Sequence, residues 1–113
     1  DGRRSAPLRS NAMKTYAGDR TIDGLVVTVD GEPLDQRLDI RRFSGTGFEW
    51  TYEGAQSRQL ALAILADHLG AGEEARALDL VEPFMRDVVA NFGNTWEMTS
   101  ADVAAAIDAF ASA

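Results

Sequence analysis

Apolar and polar positions divide the chain into a strand-rich first half and a helical second half. Alternating or β-branched residues predict strands at Met13–Ala17, Leu25–Val29 and Phe48–Tyr52. The dipeptide Asp30–Gly31 after the second strand is typical of a hairpin turn. We expect Glu32–Leu34 to continue as a short edge strand, because proline within a sheet is confined to edges. The first half is therefore expected to form a small antiparallel sheet.

The segment after the short edge strand fits neither the strand nor the helix period. We interpret Asp35–Arg42 as irregular or as a single helical turn, and Ser44–Gly47 as a turn. In the strand predicted next, alternate side chains share a face. We expect the aromatic face to pack beneath the helices and the polar face to meet solvent. The aromatic face consists of Phe48, Trp50 and Tyr52, and the polar face of Glu49, Thr51 and Glu53.

The spacing of apolar residues in the second half predicts three or four helices. The first runs from about Gln56 to His68, is apolar on almost every face, and has Gly70 as its C-terminal stop. The next is expected to begin at Glu73–Glu74, whose charges complement the helix dipole. Proline cannot donate the helical hydrogen bond, so Pro83 either kinks this helix or opens a new one at its first position.

A capping box marks the start of the last helix. Thr99 followed three residues later by Asp102 has this pattern, and the next apolar positions predict a helix over Ser100–Ala111. We expect Trp96 to close the core beside this helix start, with its indole N–H on a carbonyl. Because strands come first and helices after, the sequence predicts an α+β fold. In it, a small antiparallel sheet from the N-terminal half is covered on one face by three or four C-terminal helices.

The length of 113 residues suits a single domain. We assign this domain to residues 13–113 and exclude residues 1–12, which are polar, basic and aperiodic. Ser10–Asn11–Ala12 directly before Met13 resembles the remnant of a cleaved expression tag, and a natural flexible arm is the alternative.

The composition of the chain excludes several kinds of site and of cellular location. The chain has no cysteine, which excludes disulfides, thiolate metal sites and a cysteine nucleophile, and which suits a reducing cytoplasm. No apolar run is long enough to span a membrane, and the first residues lack the apolar core of a signal peptide. We therefore expect a cytoplasmic protein without a membrane partner.

The charge of the chain points to the kind of partner it could bind. The net charge is −7 at pH 7, and an acidic body repels phosphate backbones, so nucleic-acid binding through Arg41–Arg42 and Trp50 is disfavoured. Our first hypothesis is a non-enzymatic protein-binding or regulatory module that meets a basic host protein. A solvated acidic surface that only aids solubility is the alternative. The residues assigned to the interface are Asp30, Glu32, Asp35 and Asp39.

A small enzyme is the alternative function. Its carboxylate and histidine site would combine Glu49, Glu53, Asp67 and His68, since paired titratable groups can perform acid–base chemistry. We interpret His68 as structural, because it lies in the last turn of a helix, where a cation complements the dipole. The sequence contains no nucleophile elbow, zinc spacing or phosphate loop. We therefore assign no catalytic residue, no cofactor and no metal.

Several blocks of the sequence together resemble a small uncharacterised family. The most specific blocks are Phe48–Gly54 and Gln59–His68, and the others are Tyr16–Arg20, Val27–Gly31 and Trp96–Thr99. The family is a domain of unknown function found in bacteria, plasmids and phages. The resemblance covers nearly all of residues 13–110 and implies a bacterial or mobile-element origin. It carries no established activity, so it implies no site residue.

Overall fold

The computed structural model describes residues 14–112, so the interpretation of residues 1–12 lies outside the described part of the chain. This part contains four β-strands, three α-helices and one short 3-10 helix. The strands are β1 (Thr15–Thr21), β2 (Gly24–Val29), β3 (Glu32–Pro33) and β4 (Trp96–Thr99). The helices are α1 (Ala55–Leu69), α2 (Glu74–Asp87) and α3 (Ser100–Ser112). The 3-10 helix is Val89–Asn91.

The four strands form one antiparallel sheet in the order β3-β2-β1-β4. Asp30 and Gly31 join β2 to β3 with φ angles of 52° and 85°. A two-residue hairpin turn that follows the strand twist needs positive φ at both positions, which Asp-Gly accommodates. The hairpin turn and the short edge strand predicted from the sequence are both confirmed, and so is the α+β class.

The strand predicted at Phe48–Tyr52 is wrong. Thr51 has a φ of 81°, which takes the chain out of the extended conformation that a strand requires. Its backbone N–H donates to Val89 O at 3.2 Å, so the segment is fastened to the 3-10 helix and pairs with no strand. The fourth strand of the sheet is instead β4, in a segment for which the sequence predicts no strand.

The side chains of this segment do not alternate between core and solvent as predicted. Trp50 is fully buried, as expected, but Tyr52 on the supposed aromatic face is half exposed. Glu49 on the supposed solvent face is held by Arg20, with Nη2 to Oε1 at 2.7 Å. A turn at Thr51 explains both differences, because residues on either side of a turn no longer share a face.

α1 and α3 are close to their predicted bounds, and α2 begins where predicted but ends at Asp87, before the expected stop at Gly93. α1 ends at Gly70, which has a φ of 91° and donates its N–H to Ala66 O at 2.9 Å. Glycine adopts this left-handed conformation without strain, so the predicted stop is confirmed. α2 runs through Pro83 as a single helix rather than opening a new one there.

The capping box at the start of α3 is confirmed. Thr99 N–H donates to Asp102 Oδ2 at 2.9 Å, and Asp102 N–H donates to Thr99 Oγ1 at 3.2 Å. These reciprocal bonds satisfy donors that the first helical turn cannot pair internally. They also fix the point where β4 passes directly into α3.

One hydrophobic core joins side chains of β1, β2, β4 and all three helices with Trp50. Trp50 and Trp96 meet edge to face with ring centroids 5.8 Å apart, and Phe92 stacks on Trp96 at 4.2 Å. Within the described residues neither indole N–H has an acceptor. The expected bond from the Trp96 N–H to a carbonyl is therefore wrong, although its position in the core beside α3 is as predicted.

Candidate functional site

The four acidic residues assigned to an interface lie along one edge of the protein. They follow one another through the β2–β3 turn, β3 and the loop after β3, and every one of their side chains is exposed. We call this surface the acidic edge, and it consists of Asp30, Glu32, Asp35 and Asp39. The sequence alone places them together, because they lie within one short stretch that β3 and its flanking turns hold at the border of the sheet.

Arg37 lies in the middle of the acidic edge and binds two of its members. Its guanidinium donates to both carboxylate oxygens of Asp39, at 3.0 and 3.1 Å, and its backbone N–H donates to Asp35 Oδ1 at 2.8 Å. The hydrogen bond from Arg37 lowers the pKa of Asp39. The charge of the Asp39 carboxylate is thus neutralised by the Arg37 guanidinium, whereas Asp35 accepts only a backbone hydrogen bond from this arginine.

A second group of polar side chains lies where β1 meets α1. Asp67 Oδ2 accepts hydrogen bonds from Tyr16 Oη at 2.7 Å and from Lys14 Nζ at 3.1 Å. Burial raises the pKa of Tyr16 far above its ordinary value, and the bond to Asp67 and the charge of Asp30 add to this effect. Tyr16 therefore stays a neutral donor, and Asp30 is close enough for its charge to act on this group.

A cleft separates β3 and its following loop from α1. It has a volume of about 300 Å³. Its walls are partly apolar and partly charged, and they are formed by Val29, Pro33, Leu34, Asp35, Arg37, Ala63 and Asp67. The cleft thus brings Asp35 of the acidic edge to the same space as Asp67 of α1, a juxtaposition that the sequence did not predict. A wider depression of about 490 Å³, lined by residues 35–39, adjoins it.

Gln59 holds the loop that carries part of the acidic edge. Its side chain is fully buried, and its Oε1 accepts from the N–H groups of Phe43 at 2.7 Å and Ser44 at 3.1 Å. Its Nε2 donates to the carbonyls of Gln36 at 2.7 Å and Arg41 at 3.1 Å. The irregular segment predicted at residues 35–42 is therefore ordered by one amide from α1. The sequence does carry a signal for this role of Gln59, because it is a polar residue on the same helical stripe as the apolar Ala63 and Ala66.

The structure does not bring together the four residues of the alternative enzyme site. Glu49 lies near the start of α1, since its N–H donates to Gln56 O, and Glu53 is exposed just before that helix. Asp67 and His68 lie in its last turns. Asp67 follows Gln56 by eleven residue steps of helix, a rise of about 16 Å.

Glu49 belongs to a structural group at the start of α1. Both of its carboxylate oxygens accept from Arg20, at 2.7 and 3.2 Å, and this hydrogen bonding lowers the pKa of Glu49. Arg20 also donates to Trp50 O and lies 4.9 Å from the centroid of the Trp50 ring. Trp50 is thereby unavailable to the nucleic-acid surface considered with Arg41–Arg42, because it is fully buried.

His68 is half-buried near the C-terminal end of α1. Burial lowers its pKa, with Lys14 and Arg76 acting in the same direction and Asp67 opposing them. The folded protein therefore favours neutral imidazole, and the interpretation of His68 as structural stays a prediction. Among residues 14–112 no group of three or more histidine and acidic side chains could hold a metal ion.

The lowered pKa of His68 predicts a pH-dependent loss of stability. The unfolded state, with a histidine pKa of about 6.5, takes up a proton that the folded state resists, so stability should fall as the pH drops from 7.5 to 5.5. Thermal melts of the wild type and His68→Gln at these pH values test this. The variant should lose less stability over the same interval, and parallel losses would contradict the assignment.

The fold and the site define a small α+β domain with an acidic edge and a cleft beside it. A model of the Family of unknown function (DUF6166) matches residues 16–109, and the chain belongs to this family. The predicted resemblance to an uncharacterised domain is thus confirmed. No curated protein and no solved structure matches the chain. Among the helices of the described residues, none is long and apolar enough to cross a membrane.

Proposed function

We propose that the protein is a non-enzymatic binding module whose acidic edge contacts a basic surface on a partner protein. The observation that carries the proposal is the common exposure of Asp30, Glu32, Asp35 and Asp39 along one edge of the sheet. Arg37 is the basic residue among them, and its guanidinium is bound to Asp39. Charged groups of one sign on one surface steer an oppositely charged partner during encounter.

The surrounding structure supports a binding role in two ways. Two acids outside the acidic edge are engaged in structural bonds, Glu49 with Arg20 and Asp67 with Tyr16. The bond from Tyr16 to α1 also supports the inference that the helices cover the sheet face that carries Tyr16. On this arrangement the acidic edge is the border of the covered sheet, where a partner has free approach. A basic host protein is the partner class that we propose.

Neutralising the acidic edge is expected to slow association with such a partner about tenfold at low salt. Exposed charges act mainly on encounter, so dissociation should change less. The measurement is a kinetic binding assay against a basic partner isolated from host lysate. The variant carries Asn at positions 30, 35 and 39 and Gln at position 32. Its matched control removes four exposed acids elsewhere, namely Glu53, Asp79, Glu97 and Asp108, replaced by the corresponding amides.

Salt and stability supply the remaining checks. The wild-type association rate should fall as salt approaches about 0.15 M, where the screening length is about 8 Å. Folding stability should change by less than about 1 kcal/mol per exposed charge. The proposal would be wrong if the acidic-edge variant associates as fast as the control variant, with no dependence on salt.

A further inference from the structure

The cleft between β3 and α1 combines an apolar floor with a charged rim. Val29, Leu34 and Ala63 contribute the apolar part, and Leu34 and Ala63 are buried in the folded chain. Asp35 and Asp67 contribute carboxylates from opposite sides, one from the loop after β3 and the other from α1. The volume of about 300 Å³ lies at the lower end of the range of about 300–1,000 Å³ that is usual for ligand pockets.

Both rim carboxylates retain an oxygen for a further donor. Asp67 uses Oδ2 for its bonds to Tyr16 and Lys14, and Asp35 uses Oδ1 for the N–H of Arg37. Among residues 14–112, no hydrogen bond to Asp67 Oδ1 or Asp35 Oδ2 is present. The guanidinium of Arg37 at the rim already binds both oxygens of Asp39. The cleft therefore offers acceptors to an occupant rather than a free cation.

The charges around the cleft select a cationic occupant. Within the described residues, the cleft lining and the side chains ion-paired with it carry three carboxylates, Asp35, Asp39 and Asp67, against the two bases Lys14 and Arg37. A second copy of this chain would present its own acidic edge, at a net charge of −7, and like charges would repel. An anion would meet the same repulsion. Charge complementarity thus points to a basic partner.

The shape of the cleft favours one kind of basic side chain as the occupant. A long basic side chain can lay its aliphatic stem along apolar surface while its head remains polar. The guanidinium of arginine has five donors in a planar fork, which suits two carboxylates better than the single point charge of lysine. Arginine is also enriched among the residues that contribute most to protein interfaces.

We propose that the cleft receives an arginine side chain of the basic partner, with its stem on Leu34 and Ala63 and its guanidinium between Asp35 and Asp67. This inference rests on the proposed function, because it names the residue by which the partner anchors at the acidic edge. The acidic edge then steers the encounter, and the cleft slows the dissociation.

The test uses N-acetyl-arginine amide as the probe and ¹⁵N-labelled full-length protein, followed by NMR chemical shifts. The control probe is N-acetyl-citrulline amide, which has the same shape and no charge. We expect saturable shifts at the amides of Leu34, Asp35, Ala63 and Asp67, with affinity in the millimolar range that suits one small group. Citrulline should bind about tenfold more weakly, because its neutral urea group has fewer N–H donors and forms no ion pair with the two carboxylates.

Variants locate the binding in the cleft. Asp35→Asn should weaken the arginine probe about fivefold or more, and its exposed position makes unfolding no concern. Asp67→Asn should have a similar effect while keeping an oxygen acceptor for Tyr16. Glu32→Gln is the matched control, since Glu32 belongs to the acidic edge but does not line the cleft, and it should alter affinity by less than about twofold.

The outcomes separate this inference from the proposed function. Equal binding of arginine and citrulline, shifts outside the cleft, or unchanged affinity in Asp35→Asn would overturn the arginine anchor. If that happens while the four-acid variant still associates slowly with its partner, the acidic interface stands and only the anchor is wrong. If arginine binds in the cleft but neutralising the acidic edge leaves association unchanged, the steering function is wrong.

Discussion

Gly18→Ala is expected to destabilise the protein by about 3 kcal/mol or more, near or above the upper end of the usual cost of overpacking a core. A Cβ atom at this position would lie 2.2 Å from Nε1 of Trp96 and 2.4 Å from its Cε2. Gly18 of β1 is paired directly with Trp96 of β4, so the indole lies across the glycine backbone. Only a residue without a side chain leaves room for this ring.

The Trp96 ring has little freedom to move away. It is stacked on Phe92 with an interplanar angle of 10°, and it meets Trp50 edge to face at 81°. Its side chain is almost completely buried. Relief of the clash would therefore need either separation of β1 from β4 or disruption of the aromatic group, and both remove contacts from the core.

Denaturant unfolding of three variants tests this explanation. Gly45→Ala is the matched control, because its new Cβ would meet Arg42 at an ordinary 3.6 Å, and it should change stability by less than about 0.5 kcal/mol. In a Trp96→Leu background the clashing ring atoms are gone, so Gly18→Ala should cost much less than in the wild type. An equal cost in both backgrounds would show that the indole is not the cause.

Local sequence signals predicted most of the regular structure. The Asp30–Gly31 turn, the stop at Gly70 and the Thr99–Asp102 capping box each depend on residues close together in the chain, and the structure has all three. α1 was predictable because an apolar run of its length without a polar face must be buried.

The prediction of a strand at Phe48–Tyr52 was wrong because alternation of side chains alone does not provide a pairing partner. Its residues alternate as a strand would, but the positive φ of Thr51 and the bond to Val89 are tertiary features. The four residues of β4 alternate as well, yet their position directly before a helix cap hid the strand. Short strands are defined by their neighbours more than by their own residues.

The candidate site likewise has one part that the sequence predicts and one part that it does not. The acidic edge is contiguous in the sequence, so its four members could be named from it. The cleft could not, because it needs Asp67 of α1 to approach Asp35, and that approach depends on how the loop after β3 is folded. That folding in turn depends on Gln59, whose partners are all distant backbone groups.

Gln59→Leu is expected to cost about 3 kcal/mol of stability, because it removes a buried hydrogen-bond network while keeping a side chain of similar size. Four backbone groups lose their partner, at Phe43, Ser44, Gln36 and Arg41. Burial of one additional apolar group does not offset the loss, since unpaired buried amides and carbonyls each carry a desolvation penalty.

Gln56→Leu is the matched control for this prediction, since Gln56 is on the same helix and its one side-chain bond goes to Thr46 Oγ1 near the surface. It should cost less than about 1 kcal/mol. Hydrogen exchange supplies the second measurement. In Gln59→Leu the amides of Phe43 and Ser44 should lose protection before the rest of the domain, because the loop has been released locally. The arginine probe should bind the same variant more weakly, since the released loop carries Asp35. Equal stability of the two variants, or unchanged protection at Phe43 and Ser44, would mean that the loop is ordered by something other than the Gln59 amide.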